Sequence, residues 1–363
     1  MSIRSPSRPA RSVLNRTVVG LAGLALASVA SAALVPPVLA QAAALSGPAA
    51  PDPVVFSTFP IPDGDQPAIE AGVWRPSGPS DAPRPLILIS HGTGGDFRSH
   101  EATAQALARA GFVVAALTHT GDNWRDQSRA TDLAGRTRQI SVVLDYLLTR
   151  WDGRAGLDPE RIGAFGYSAG GFTLLAAAGG NPDLSRIAPH CQAHPEAFDC
   201  RLVAQHPPPA GTAGADGIVV HHDPRLKALV IAAPALGFTF AGSGLAAVTQ
   251  PVQLWQAGAD QILPAPDYAE PVRDALPNPP TFFRVEGAGH FDFMPPCSAQ
   301  LKIFAPAICA PTPGFDRAAF HARFNPALIA FYRLHLAAPA AAGGGSASAS
   351  GPAAVSPGRD RAS

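Results

Sequence analysis

A three-layer α/β architecture, a mostly parallel sheet with helices on both faces, is what this sequence predicts, and three observations carry the prediction. Apolar runs of strand length recur from residue 85 to residue 285, and between them lie stretches with apolar residues at helical spacing. One of the runs, Arg161-Ile162-Gly163-Ala164-Phe165, closes in Gly166-Tyr167-Ser168-Ala169-Gly170 and passes straight into an Ala/Leu-rich segment. Strands alternating with helices over one continuous stretch call for a sheet covered on both sides, with short right-handed crossovers.

Residues 54–60 and 68–74 read as a pair of opening strands around the turn-forming Pro62-Asp63-Gly64-Asp65, the antiparallel edge of the sheet. Pro85-Leu86-Ile87-Leu88-Ile89-Ser90 is the continuous apolar run that a strand buried on both faces requires, and it ends at His91-Gly92-Thr93-Gly94-Gly95. An amphipathic helix near residues 100–110 and a strand at 112–117 follow. Residues 129–150 carry Ile140, Val143, Leu144 and Leu147 at helical spacing and should lie on the sheet. Asp158-Pro159-Glu160 turns into the strand that ends at Ser168, and residues 171–178 form the helix behind it. Residues 181–225, rich in proline, glycine and histidine and without clear periodicity, read as an irregular excursion over the active edge of the sheet. Strands at 226–233, 252–256 and 281–285 resume the pattern, and residues 315–336 make a closing helix interrupted or restarted at Asn325-Pro326. No internal repeat is present.

The ends differ in kind from the middle. Arg4, Arg8, Arg11 and Arg16 precede an apolar stretch at residues 18–35 and a small-residue end at 38–40, the pattern of a secretory signal peptide over residues 1–40. Cleavage is placed after Ala40, with Ala32 as the second choice, and a membrane anchor is the competing reading of the same run. Residues 41–53 then form a linker, 54–336 one domain, and 337–363 a low-complexity, disordered tail. The expected address is periplasmic or secreted, with no stable membrane association once the leader is removed.

Over the whole chain, hydrophobic residues at 47% can fill a sizeable core, while charged residues at 15% fall below the usual share of about a quarter. Lys+Arg and Asp+Glu both number 27, so nothing points to nucleic acid or an anionic membrane as partner. Cys191, Cys200, Cys297 and Cys309 all fall in the exported part, and an even count in an oxidising compartment suggests two disulfides. Of three possible connectivities, Cys191–Cys200 with Cys297–Cys309 closes the shortest loops. No Cys-x-x-Cys pair is present, which argues against a zinc site on these cysteines. No metal and no other cofactor is expected.

The chemistry converges on Ser168. A serine hydroxyl is a weak nucleophile at neutral pH; it needs a base to take its proton and a third group to hold that base in the right tautomer. Strand, G-x-S-x-G and helix together read as a nucleophile elbow, a turn too tight for bulk beside the serine. Asp260, in the loop after the strand at 252–256, and His290, in Gly287-Ala288-Gly289-His290-Phe291 after the last strand, supply acid and base in the chain order of α/β-hydrolases. Asp260 as a mere helix cap, and Asp292 as a rival acid that would have to fold back over its own backbone, are the alternatives. The backbone N–H groups of Thr93 and Ala169 are assigned to an oxyanion hole. His119, His190, His194, His206, His221 and His222 read as surface or packing residues. Trp124, in Gly121-Asp122-Asn123-Trp124-Arg125, either walls the mouth of the site or packs under its own loop.

Ser-His-Gly-Thr-Gly-Gly at residues 90–95, Gly-Tyr-Ser-Ala-Gly-Gly at 166–171 and Gly-His-Phe-Asp-Phe at 289–293 resemble the bacterial group of predicted dienelactone hydrolases, related to platelet-activating-factor acetylhydrolases. The resemblance spans roughly residues 54–336. Dienelactone hydrolase proper has a cysteine where Ser168 stands. The acetylhydrolases take their acid after the preceding strand, where Ala232-Ala233-Pro234-Ala235 offers none. Asp260 fits the commoner hydrolase position, seen also in cutinase-like polyesterases. The expectation is a cofactor-independent serine hydrolase of small-molecule carboxylic esters, working through an acyl-enzyme on short or compact acyl groups. A peptidase or amidase of the same fold, and a non-catalytic binding protein on the same scaffold, are the rival readings.

Overall fold

The computed structural model describes residues 53–80, 82–207 and 219–338. The expected signal peptide, nearly all of the linker and of the low-complexity tail, and residues 208–218 of the excursion lie outside the described residues.

Eight strands form one sheet in the order β1-β2-β4-β3-β5-β6-β7-β8. β1 (Val54–Asp63) and β2 (Gln66–Pro76) are an antiparallel hairpin at one edge. β2 also pairs antiparallel with β4 (Val113–Leu117), and every later pairing is parallel. The expected turn at Pro62 to Asp65 is shorter than its composition suggests, because Pro62 and Asp63 complete β1 and Asp63 pairs with Gln66. The Asp63 carboxylate is buried and gripped by Arg138, which holds the chain extended to that point.

β3 (Arg84–Ser90) shows why the central strands are mostly apolar. Leu86 and Leu88 point to one face of the sheet, where they pack with α2 (Leu133–Thr149) and α3 (Ala169–Ala177). Ile87 and Ile89 point to the other, among residues of α1 (Glu101–Arg109) and of a long helix at the end of the domain. Period-2 alternation thus sends half of each strand into each of two cores, so both sets of alternate positions favour apolar side chains. α2 starts where the Asp132 side chain accepts from Gly135 N at 2.8 Å, so the preceding residues 129–132, expected as helix, belong to the turn before the cap. β5 (Leu157–Tyr167) absorbs Asp158-Pro159-Glu160 as a bulge, the register against β3 shifting between Pro85 and Leu86.

Two expectations are corrected in the C-terminal half. The excursion is not irregular throughout: α4 (Ile187–Ala193) and α5 (Phe198–Gln205) lie in it. Each spans about two turns, too little for an apolar period to declare itself. After β6 (Leu226–Ala232), β7 (Val252–Ala257), α6 (Ala269–Ala275) and β8 (Thr281–Val285), two further short helices follow, α7 (Ala299–Phe304) and α8 (Pro306–Cys309). The closing helix α9 (Arg317–His335) runs through Pro326 without interruption. A proline inside a helix costs about 3 kcal/mol. Phe320, Phe324, Leu328, Phe331 and Tyr332 are buried along one face of α9, each worth roughly 1.5–3 kcal/mol, so packing on the sheet outweighs the missing N–H. Asn325 beside it accepts from Thr103 Oγ1 of α1 at 3.0 Å.

Disulfides join Cys191 to Cys200 and Cys297 to Cys309, the short-loop pairing. The first ties α4 to α5, and the second closes the segment holding α7 and α8. Titration of the denatured, unreduced protein with a thiol reagent should therefore give no signal. Two or four reactive equivalents would contradict the pairing.

Candidate active site

β5 delivers Ser168 to the carboxyl end of the sheet between two parallel neighbours, β3 and β6. The residue sits at φ 55° and ψ −119°, a backbone conformation that costs a non-glycine residue about 1–3 kcal/mol and persists only where the surroundings enforce it. Here they do: Ser168 N donates to Ala232 O at 3.0 Å, and Ser168 O accepts from Gly171 N at 2.9 Å and Ala235 N at 3.0 Å. A Cβ on Gly170 would stand 2.0 Å from Ser90 O, so only glycine lets α3 leave the strand this close to β3. The strained turn holds the serine side chain at the start of a helix in which every residue is buried.

Asp260 and His290 meet Ser168 there. His290 Nε2 is 3.1 Å from Ser168 Oγ, and His290 Nδ1 is 2.8 Å from Asp260 Oδ2. Asp260 Oδ1 accepts from Ile262 N at 2.9 Å and Leu263 N at 2.8 Å, which aims the other oxygen at the imidazole. A carboxylate that accepts from Nδ1–H leaves the Nε2 lone pair facing the serine hydroxyl, the tautomer a general base requires. All three residues are at most 9% exposed, so the charges that would develop here are poorly screened. Tyr167, which the sequence reading passed over, donates from its hydroxyl to His290 O at 3.0 Å, with the rings 5.0 Å apart.

Asp292 points elsewhere. Its Oδ2 accepts from Gly289 N at 2.9 Å and its Oδ1 from Arg317 Nε at 3.0 Å. Arg317 also donates to Ile308 O at 3.0 Å and Ala310 O at 2.9 Å, linking the His290 turn to the disulfide-closed segment. Asp292 therefore braces the loop that carries the histidine, and no spacing rule in the sequence signals its partner.

The loop after β3 reaches the serine from the other side. A Cβ on Gly92 would lie 3.1 Å from Ser168 Cβ, so main chain rather than side chain faces the nucleophile. Among the described residues, neither Thr93 N–H nor Ala169 N–H donates to a protein acceptor. Two unspent backbone donors flanking a serine are the raw material of an oxyanion hole.

Beneath that loop lies a buried polar network that the sequence reading missed. Arg136, on α2 and 2% exposed, donates to Asp122 Oδ2 at 2.5 Å, Thr173 Oγ1 at 2.9 Å and His91 O at 2.5 Å. Asp122 in turn accepts from Gly94 N at 2.9 Å, so the residues on either side of Gly92-Thr93 are fastened to one ion pair. His91 is held neutral, its pKa pushed down to about 3 by burial and by the Arg136 guanidinium. Its Nδ1–H donates to Gly92 O at 2.7 Å and its Nε2 accepts from His119 N at 3.0 Å. His119 is fully buried too, bonded to Ser90 Oγ at 2.9 Å and Gln139 Oε1 at 2.8 Å, and so is neither a surface nor a plain packing residue.

Trp124 follows Asp122 on the same loop. It is 63% exposed, with the Arg125 guanidinium 5.0 Å from its ring, and so is not packed under its own loop. The α4–α5 segment leans on the loops after β6 and β7: His190 stacks on Phe238 at 4.0 Å and contacts the Tyr268 hydroxyl at 3.2 Å. Both loops leave the carboxyl ends of strands, the side on which Ser168 lies.

Residues 98–189 match the prolyl oligopeptidase family. Over 103 residues the chain is 30% identical to "Putative esterase NocK" of Nocardia uniformis subsp. tsuyamanensis, covering 28% of this chain and 30% of that protein. Over 117 residues it is 32% identical to bis(hydroxyethyl) terephthalate hydrolase of Streptomyces coelicolor, covering 32% of this chain and 36% of that protein. The chain thus spans about a third of the length of these curated relatives. Together with the mostly parallel eight-stranded sheet, the family match identifies the α/β-hydrolase fold. Among the described residues, no helix is long and apolar enough to cross a membrane.

Proposed function

We propose that this protein is an exported serine hydrolase that cleaves carboxylic esters through an acyl-enzyme intermediate. The observation that carries the reading is the buried, hydrogen-bonded line from Asp260 through His290 to Ser168. Ser168 Oγ attacks the carbonyl carbon while His290 Nε2 takes its proton, and the oxyanion is received by Thr93 N–H and Ala169 N–H. His290 then gives the proton to the leaving alcohol, and Asp260 stabilises the imidazolium throughout. Water repeats the cycle against the acyl-enzyme, with His290 as base, and frees the acid. No cofactor enters these steps. Likeness to two proteins named for ester hydrolysis supports the choice of substrate class. The motifs at residues 90–95, 166–171 and 289–293 support a place near the dienelactone hydrolase and acetylhydrolase group.

A second reading, peptidase or amidase, is favoured by the match to the prolyl oligopeptidase family. Paired chromogenic substrates with the same acyl group separate the two: the ester should turn over at least a hundredfold faster than the anilide, and the reverse ranking would replace the ester reading. Labelling of wild type but not Ser168→Ala by a fluorophosphonate is expected; an unlabelled wild type would indicate a binding protein on a hydrolase scaffold.

The exposed Trp124 ring and the disulfide-bonded α4–α5 segment support a narrow mouth. Acetyl and butyryl esters of one alcohol should therefore give higher kcat/KM than octanoyl and palmitoyl esters, and Trp124→Ala should reduce that preference. Faster turnover of the long chains by wild type would refute the narrow mouth. An unchanged preference in Trp124→Ala would remove Trp124 from the substrate wall.

A further inference from the structure

Away from the serine, α4 and the loop after β7 bring together a second set of reactive side chains. One ring nitrogen each from His190 and His194 and a carboxylate oxygen of Asp267 lie within 4.8 Å of one another. We propose that His190, His194 and Asp267 bind a divalent transition metal, zinc by the chemistry of its donors, and that the ion fastens the end of α4 to the loop after β7.

His190 lies on the last turn of α4 and His194 is the residue that caps its C-terminus, and their ring centroids are 5.0 Å apart. His194 Nε2 already lies 3.8 Å from Asp267 Oδ2. Two imidazoles and one carboxylate are a common zinc donor set, whereas calcium and magnesium take oxygen almost exclusively. Three protein ligands leave a fourth position for water, and this cluster opens outward: His194 is 47% and Asp267 36% exposed at the side chain. An ion therefore has a path in.

His190 is oriented in the manner of a metal ligand. The Tyr268 hydroxyl donates to both carboxylate oxygens of Asp199, at 3.1 Å each, and lies 3.2 Å from His190 Nε2. With its hydrogen committed to Asp199, the hydroxyl oxygen accepts from Nε2–H, and Nδ1 keeps its lone pair for an ion. A carboxylate that fixes the tautomer of an imidazole, here through a phenol, is the outer support typical of metal-bound histidines. The Phe238 ring, stacked 4.0 Å from the imidazole, blocks its rotation.

Charge balance is an independent observation. Asp199 is 6% exposed, and its hydrogen bonds come from neutral donors, Tyr268 and its neighbour Cys200 N. Among the described residues no lysine or arginine pairs with it, and the basic side chain paired to it is His190, 4.0 Å away. A buried carboxylate without a cation is costly. A dication on the far side of His190 supplies the missing positive charge. Cys200 cannot compete as a ligand because its sulfur is in the disulfide with Cys191.

The test uses full-length protein without an affinity tag, stripped with a chelator and titrated with zinc by calorimetry and with cobalt(II) by visible absorption. Wild type should bind one equivalent at micromolar concentration, show the cobalt bands of four-coordinate geometry, and melt about 5 °C higher in zinc at a hundred times Kd. His194→Ala and Asp267→Asn change exposed side chains. Each should weaken zinc binding at least tenfold while the metal-free melting temperature stays within about 1 °C of wild type. Absence of binding by wild type would overturn the proposal, as would wild-type affinity in both variants, which would place the ion elsewhere.

Discussion

Ser168→Ala and His290→Ala should each lower kcat by about four to six orders of magnitude, and the double variant should be no slower than Ser168→Ala alone. The ground for non-additivity is the single line of hydrogen bonds: Nε2 serves no purpose without Oγ, and Oγ is not deprotonated without Nε2. Asp260→Asn should cost about four orders of magnitude, because an amide can offer its N–H to Nδ1 and so favour the wrong tautomer. Burst kinetics with a chromogenic ester, alongside circular dichroism to show that each variant is folded, would measure these effects. If the losses of Ser168→Ala and His290→Ala multiply in the double variant, the two residues are not acting in one mechanism.

The second large effect is expected at a residue that does not face the serine. Arg136→Met should lower the melting temperature by about 10 °C and reduce kcat at least a hundredfold, with a smaller change in KM. Breaking a buried ion pair from one side costs about 3–5 kcal/mol, because the partner keeps its desolvation penalty. Burial already pushes the Asp122 carboxyl up against the pull of Arg136, so without the guanidinium it would be neutral or displaced. Loss of the guanidinium frees His91 O, and displacement of the carboxyl frees Gly94 N as well; these are the anchors on the two sides of Thr93. Adding Asp122→Asn to Arg136→Met should restore part of the stability, since the amide oxygen still accepts from Gly94 N and no charge is buried. A melting temperature for Arg136→Met within 2 °C of wild type would show that the pair does not hold the loop.

The contrast between these two sites marks what a sequence alone can carry. Ser168, Asp260 and His290 were legible because each sits in a local signature after a strand, and because their order along the chain is itself informative. The central strands were legible for a related reason: burial on both faces forces an unbroken apolar run, as in Leu86 to Ile89. Arg136 was not legible. Its guanidinium meets His91 from 45 residues away, and an arginine on an amphipathic helix is indistinguishable in sequence from one that faces water. α4 and α5 were lost for want of length. Pro326 misled because the rule for proline weighs the local backbone, whereas five buried side chains on the same helix decide the outcome. The candidate site is thus signalled locally at Ser168, Asp260 and His290 and non-locally in the residues that support them.

Sequence separation within the site also sets an order of assembly. Most of what shapes the Ser168 turn and the loop over it, from β3 to the close approach of Gly170 to Ser90, comes from residues 84–177, with β6 and residue 235 as the next contributors along the chain. The Ser168–His290 contact spans 122 residues and the Asp260–His290 contact 30, and both require β7 and β8 to have docked at the far edge of the sheet. Contacts of such separation form late, because the entropy of closing long loops must be met before they reward the chain. During refolding, collapse and helix formation would be complete, by fluorescence and far-ultraviolet dichroism, before the last two strands bring histidine to serine. Recovered turnover in such an experiment is therefore a clock for the final edge of the sheet rather than for the bulk of the fold.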